Sequence, residues 1–199
     1  MSRRWLLVLP VALVLAGLTS ASRLQMFWWP DELHDRTTGR QGEPVRLRDQ
    51  WVDEAGDEHH RELTVTLVDV RPATTVEGFS GPERLDPPTG TAVWEVRLRL
   101  DVGEDVPLGG CHVSVLDDEG HEADAVGGSV GGVQVPTTAC EPEGRTGPGY
   151  DGSPPDGDAP RPASYEVSAY AVTAASMVPD RVRLWWEAPD VAELSLGSR

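Results

Sequence analysis

The sequence has no lysine, and its 17 basic residues other than histidine are all arginine. This excludes Schiff-base catalysis, a phosphate-loop lysine and a Ser-Lys dyad. The last histidine is His121. The Gly-x-Ser-x-Gly match at 127–131 would need a following helix and a later histidine to act as a nucleophile elbow. A glycine- and valine-rich segment follows instead, so we expect a flexible hairpin loop there and no catalysis.

No acidic residue precedes Asp31, whereas three of the arginines lie before it. The remaining 14 arginines are set against 33 acidic residues, so the chain beyond residue 30 has a formal charge of −19. Such a segment repels phosphate backbones, which argues against nucleic acid as a partner. It also repels an anionic membrane surface, and its simplest role is to keep the protein soluble.

Residues 1–29 have the pattern of an export signal or a membrane anchor. Arg3 and Arg4 precede an uncharged run at 5–22, and three aromatic residues follow at 27–29. As a helix at about 1.5 Å per residue, the run would span about 27 Å, close to the ~30 Å hydrocarbon core. Aromatic residues just beyond it suit the outer interface. We therefore predict a single-pass signal-anchor that holds the chain in the cell membrane through residues 5–22, with a cytoplasmic N-terminus and an extracellular C-terminal domain.

Cleavage of this segment is the alternative. Its strongly apolar part, residues 5–18, is as short as the core of a signal peptide, and small residues at 19–21 would permit a cut after Ala21. The protein would then be secreted. No cysteine lies near the segment, which excludes a lipid-modified N-terminus.

Period-two alternation predicts an all-β domain over residues 45–199, after a polar tether at 30–44. The clearest strand is 91–102, in which Ala92, Trp94, Val96, Leu98, Leu100 and Val102 face inward. Its other face, with Val93, Glu95, Arg97, Arg99 and Asp101, is predicted to be solvated. Shorter strands are predicted near 45–51, 63–70, 111–115, 165–173, 181–186 and 191–196. Two segments with Gly and Pro, 73–90 and 141–162, are predicted to be flexible loops. This pattern favours an antiparallel β-sandwich.

Cys111 and Cys140 are the only cysteines. In an exported chain, an even pair indicates a disulfide. A metal site built on the two thiols would need nearby histidines, such as His112 and His121, but an oxidising compartment favours the disulfide.

A hard cation such as calcium is the weak alternative for the acidic turn that follows. Most of the candidate ligands offer oxygen atoms, but their spacing matches no calcium loop, and an exposed turn is the preferred interpretation. The residues concerned are Asp117, Asp118, Glu119, His121, Glu122 and Asp124. We predict no metal and no cofactor. The pair His59-His60 is predicted to be a solvated part of a charged turn.

Trp185 and Arg183 are the candidate ligand contacts. In the strand at 181–186, Val182, Leu184 and Trp186 are predicted to face inward, which leaves Trp185 outward beside Arg183. An exposed tryptophan beside an arginine is typical of a surface that binds a protein or a sugar. The alternative is that Trp185 has a structural role, covering a second sheet or stacking on an arginine.

The strands at 63–70 and 91–102, the Leu116-Asp117-Asp118-Glu119-Gly120 turn and the late strand pair together resemble DUF4352-type immunoglobulin-like domains of exported bacterial proteins. The resemblance covers about residues 60–196, and the long insertion at 141–162 departs from it. The abundance of Arg, Ala, Gly and Pro without lysine suggests a GC-rich, actinobacterial genome. The resemblance implies an immunoglobulin-like sandwich and a non-catalytic envelope module, and it assigns no site residue.

Together these observations predict an extracytoplasmic, membrane-tethered binding or interaction module whose partner is an envelope protein or surface ligand. One alternative is a secreted hydrolase or carbohydrate-active protein with an acidic loop site. Another is an accessory subunit of a membrane complex that makes contact through its N-terminal helix. The apolar run at 5–18 has no polar residue to favour that contact.

Overall fold

The computed structural model describes residues 32–53, 55–78, 81–135, 137–142, 144, 147–150, 153 and 160–197. The predicted signal-anchor lies outside these residues, as does most of the 141–162 segment. The described part contains strands and no α-helix, which confirms the all-β prediction. The strands are β1 (Asp35–Arg40), β2 (Pro44–Val52), β3 (Glu58–Pro72), β4 (Thr75–Gly78), β5 (Gly81–Arg84), β6 (Thr91–Val102), β7 (His112–Leu116), β8 (Glu122–Asp124), β9 (Gly128–Val130), β10 (Val133–Val135), β11 (Ser164–Ala174), β12 (Arg181–Trp185) and β13 (Asp190–Ser195).

Two sheets form a β-sandwich-like fold. The five-stranded sheet has the order β1-β13-β12-β7-β8, and the four-stranded sheet has the order β11-β6-β3-β2. Neighbouring strands are antiparallel except β1, which runs parallel to β13. Two hairpins, β4–β5 and β9–β10, are separate from both sheets.

The sandwich has two ends, which we name by the path of β1. At the entry end, β1 begins with Asp35 opposite Asp190; at the far end, it finishes with Arg40 opposite Ser195. The turn between β7 and β8 lies at the far end, because Leu116 pairs with Arg181, which in turn pairs with Ser195. The loop between β6 and β7 lies at the entry end.

The inner core lies between the two sheets and is built from the predicted alternating positions. Val65, Leu98 and Leu100 from one sheet are fully buried, as are Val115 and Leu184 from the other. Burying an aliphatic side chain contributes about 1.5–3 kcal/mol, so these strands supply most of the hydrophobic stabilisation.

A second, outer cluster corrects two expectations. Val93 and Glu95 were expected on a solvated face of β6, but only 3% and 8% of their surfaces are exposed. Hairpins β4–β5 and β9–β10 cover that part of the sheet, so segment 73–90 contains a strand pair. The cluster consists of Val76, Leu85, Val93, Val130, Val133, Val135 and Tyr170.

The tether is also shorter than expected, because residues 35–40 form β1. This strand has no apolar residue and pairs through its backbone with β13. Gly39 permits the close approach of the next strand, since a Cβ there would collide with Val45. Gly42 then turns the chain with a φ of +82°, a conformation that favours glycine.

At the entry end, four side chains, three of them buried, hold the loop from residue 103 to residue 111. Arg161 donates to the carbonyls of Gly103 and Val106 at 2.7 and 2.9 Å, and Arg61 donates to that of Pro107 at 2.9 Å. The indole of Trp186 donates to the carbonyl of Leu108 at 3.1 Å, and Tyr150 donates to that of Gly109. The loop is not part of a strand, but side chains donate hydrogen bonds to its backbone carbonyls. These hydrogen bonds give the loop a defined conformation.

Within residues 32–197, excluding the gaps named above, no helix is long and apolar enough to cross a membrane.

Candidate functional site

The outer face of the five-stranded sheet carries a network of ion pairs, and Arg183 takes part in two of them. Arg183 forms ion pairs with Glu193 at 3.0 Å and with Glu122 at 2.9 Å, and Arg181 also reaches Glu193, at 3.4 Å. Desolvation raises the pKa of Glu193, but the hydrogen bond and charge of Arg183 outweigh it, and the pKa is lowered. Arg183 is therefore a structural group of the sheet, which weakens its predicted role as a ligand contact.

Trp185 lies on this outer face, as alternation predicted, but it is half-buried. Its ring stacks on His112 of the neighbouring strand, with centroids 5.3 Å apart and planes 15° apart. The tryptophan therefore covers part of β7, which favours the structural alternative. Val182, Leu184 and Trp186 are buried, as predicted.

The acidic turn at the far end is held by one carboxylate. Asp117 accepts hydrogen bonds from the backbone N–H of His121 at 2.8 Å and lies 2.9 Å from its Nδ1. Desolvation raises the pKa of Asp117, but the hydrogen bonds of His121 together lower it below the usual range. The same side-chain hydrogen bond, with the charge of Asp117, raises the pKa of His121.

This turn forms one wall of the far-end cleft, a groove of about 810 Å³. The opposite wall is the segment between β11 and β12, in which Val178 is 61% exposed and Met177 is 9% exposed. A smaller groove of about 300 Å³ is also lined by Val178, Pro179 and Asp180, so these three residues border both grooves. The far-end cleft is lined by Asp117, Asp118, Glu119, His121, Ala174, Ser176, Met177, Val178, Pro179 and Asp180.

The candidate cation ligands do not form a common site. Asp124 lies on β8 opposite Ser114, whereas Asp118 and Glu119 lie in the turn. In the described part of the chain, no three His, Cys, Asp or Glu residues are close enough together to hold a metal ion. The carboxylate of Asp117 is hydrogen-bonded to His121 within the turn. The side chains of Asp118 and Glu119 are exposed, so the turn presents a charged surface.

Cys111 and Cys140 lie at disulfide distance, with their Cα atoms 5.9 Å apart. The pair joins the start of β7 to the segment after β10. The Gly-x-Ser-x-Gly match at 127–131 lies in the β9–β10 hairpin, and a strand follows it where a nucleophile elbow needs a helix. His59 lies 2.8 Å from Asp53 and stacks on Trp51, so it is an integral part of its hairpin.

A buried charge pair that the sequence pattern did not predict, Asp49 and Arg61, lies at the entry end. Arg61 is 1% exposed, is paired with Asp49, and lies over the rings of Trp186 at 4.5 Å, Trp51 at 4.9 Å and Tyr150 at 5.5 Å. A signal existed, because both charged residues occupy inward positions of the alternating pattern and face each other across β2 and β3.

Comparison with known protein families, characterised proteins and solved structures finds no match to the chain.

Proposed function

We propose that the protein is a non-catalytic, extracytoplasmic binding module, tethered to the membrane by its N-terminal segment, and that its far end makes contact with the partner. The observation that carries this proposal is the position of the far-end cleft. The cleft lies at the end of the sandwich opposite the start of β1, which is where the chain would arrive from the proposed N-terminal anchor.

The strand order supports an immunoglobulin-like fold. β6 and β11 pair in one sheet, while β7, β12 and β13 are adjacent in the other. In immunoglobulin domains, strands B and E pair in one sheet and strands C, F and G form the other. Here β6, β7, β11, β12 and β13 occupy the places of B, C, E, F and G, and β3 lies beside β6 as A lies beside B. On the sequence resemblance described above, we also propose that the domain is of the DUF4352 type.

The path of the chain supports the orientation. Only a few residues separate the aromatic group at 27–29 from the start of β1 at Asp35. With residues 5–22 in the bilayer, the entry end faces the membrane and the far end faces outward. The net charge of −19 beyond residue 30 opposes contact of the domain with anionic lipid.

The chemistry of the far-end cleft indicates the kind of partner. Asp118, Glu119 and Asp180 are exposed carboxylates on its rim, and Val178 offers an exposed apolar side chain beside them. Such a surface is complementary to a protein segment in which a basic residue adjoins an apolar one. We therefore propose an envelope protein with a basic, partly apolar contact loop.

The tether is tested by extraction of native membranes with carbonate. The full-length chain should remain in the pellet, because the uncharged run at 5–22 would be held in the hydrocarbon core. Recovery of a soluble form that begins at Ser22 would replace the tethered module with a secreted one.

A further inference from the structure

β1 is an edge strand of the five-stranded sheet, and β13 covers only one side of its backbone. The N–H of Asp35 donates to the carbonyl of Pro189 at 3.0 Å, and the N–H of Gln41 donates to that of Ser195 at 2.8 Å. Successive residues of a strand direct their backbone groups to opposite sides, so the even-numbered residues of β1 direct theirs away from β13. We infer that this open edge binds an extended, acidic segment of a partner protein, which adds to the sheet as a further strand.

The open backbone groups centre on Thr38. Its N–H and C=O have no partner in the part of the chain that the structure describes, and neither has the N–H of Arg40 or the C=O of Arg36. The N–H of Arg36 turns back to the carbonyl of His34, and the C=O of Arg40 accepts the N–H of Glu43. All three even-numbered residues of β1 are exposed. An added strand can therefore form two backbone hydrogen bonds with Thr38 and one more at each flanking arginine.

The other sheet edges differ from that of β1. The edge of β11 is partly covered, because the N–H of Val126 donates to the carbonyl of Tyr170 at 2.8 Å. The edge strand of the same sheet as β1, β8, has only three residues. On β2, both exposed arginines are matched, since Arg46 and Arg48 pair with Glu62 of β3 at 2.9 and 3.2 Å. β1 combines sufficient length with open backbone groups and unmatched charge.

The side chains on β1 select an acidic segment. Arg36 and Arg40 lie on the outer face of the sheet, four residues and about 13 Å apart. Arg36 is 3.8 Å from Glu193, a carboxylate that Arg181 and Arg183 share, and Arg40 forms no ion pair with a described residue. Opposite charges at directly opposite positions stabilise a strand pair. The segment that fits has acidic residues four positions apart, one opposite each arginine of β1.

The same arginines argue against a second copy of this chain as the occupant. Antiparallel pairing of two β1 strands centred on Thr38 would place Arg36 of one copy opposite Arg40 of the other, and like charges at opposite positions are destabilising. The occupant is therefore a different protein. This contact is separate from the far-end cleft, so it does not depend on recognition at that end.

The test is an NMR titration of the full-length chain in detergent with the blocked peptide Ser-Thr-Asp-Val-Thr-Val-Asp-Thr-Ser. The amide signals of Thr38 and Arg40 should shift in a saturable way, and both amides should exchange more slowly with solvent. A peptide with Asn in place of both Asp should bind about fivefold more weakly or worse, because both cross-strand charge pairs are lost. A peptide N-methylated at its central Thr keeps the charges but cannot donate to Thr38, and it should not bind.

Variants of the protein test the same edge. Arg40→Gln should weaken binding about twofold to fivefold. Arg84→Gln, an equal charge change at an exposed arginine of β5, should leave the affinity unchanged. Thr38→Pro removes the open N–H and leaves the bonds to β13 in place, since proline is tolerated on an edge strand whose N–H faces solvent, and it should abolish binding.

Four results would overturn the inference. The first is the absence of a saturable shift with the acidic peptide. The second is equal binding of the N-methylated peptide, which would show a contact of charges without strand addition. The third is an equal loss of affinity in Arg40→Gln and Arg84→Gln, which would show non-specific attraction. The fourth is unchanged affinity in folded Thr38→Pro.

Discussion

The two ends of the sandwich each contain a pair of oppositely charged side chains, but the pairs differ in burial and in role. At the entry end, Arg61 and Asp49 are buried as a pair, and side chains satisfy the carbonyls of an irregular loop. At the far end, Asp117 and His121 form a pair on an open turn, beside a cleft with an exposed valine. The buried charges at the entry end stabilise the fold, whereas the charges at the far end lie on a surface that is open to a partner. Buried groups should therefore dominate stability, and exposed ones should dominate recognition.

The largest effect is expected from Arg61→Met. The change leaves the Asp49 carboxylate buried without its cation, so unfolding free energy should fall by about 3–5 kcal/mol. Chemical denaturation measures this. Arg46, whose side chain is 66% exposed and pairs with Glu62 at the surface, is the matched control. Arg46→Met should cost about 0–0.5 kcal/mol. Similar losses from both variants would contradict the assignment of Arg61 as a buried structural charge.

Trp186→Ala should cost nearly as much, about 3–5 kcal/mol, because the ring is 5% exposed and lies over Arg61. Trp185→Ala removes a half-buried ring that stacks on His112 and should cost about 1 kcal/mol. Thermal and chemical unfolding of the two variants gives the comparison. An equally large loss at Trp185 would mean that the outer face of the sheet is as tightly built as the entry end.

Removal of the disulfide by Cys111→Ser with Cys140→Ser should lower the unfolding free energy by roughly 3.5 kcal/mol, from the closure of the 29-residue separation. The loss should lie mainly in the unfolded state, so the far-end turn should keep its native chemical shifts. Non-reducing peptide mapping of protein from its native envelope checks the pairing itself. Two free thiols there would remove the disulfide from this account.

The smallest effect concerns pH at the far end. The raised pKa of His121 means that its contribution to stability is present below the ordinary value of 6.5 and is lost as pH rises through the raised pKa. The lowered pKa of Asp117 means that its contribution is present above 3.8 and is lost as pH falls through the lowered pKa. The pair is therefore most effective between those limits.

An NMR titration of His121 checks this assignment. In Asp117→Asn, the pKa of His121 should fall toward its ordinary value, because the negative charge is removed and the amide oxygen that replaces the carboxylate is a weaker acceptor. An unchanged pKa would show that the turn is not organised by this pair.

Alternation predicted β3, β6, β11 and the late strands, because a half-buried strand must place apolar residues at every second position. β1 gave no such signal, since it is an entirely polar edge strand whose pairing comes from the backbone of β13. The burial of Val93 was also missed, because hairpins distant in sequence cover it. Asp49 and Arg61 were readable in principle, as opposite charges at inward positions.

The most direct measurement compares two exposed valines at opposite ends. Val178 at the far end is 61% exposed and Val52 at the entry end is 65% exposed, so they offer similar access. A photoreactive phenylalanine analogue is placed at each position in the full-length chain, and native membranes are irradiated. Adducts with a partner protein should form from position 178 and not from position 52. Adducts from position 52 alone, or equal yields from both, would contradict the far end as the binding surface.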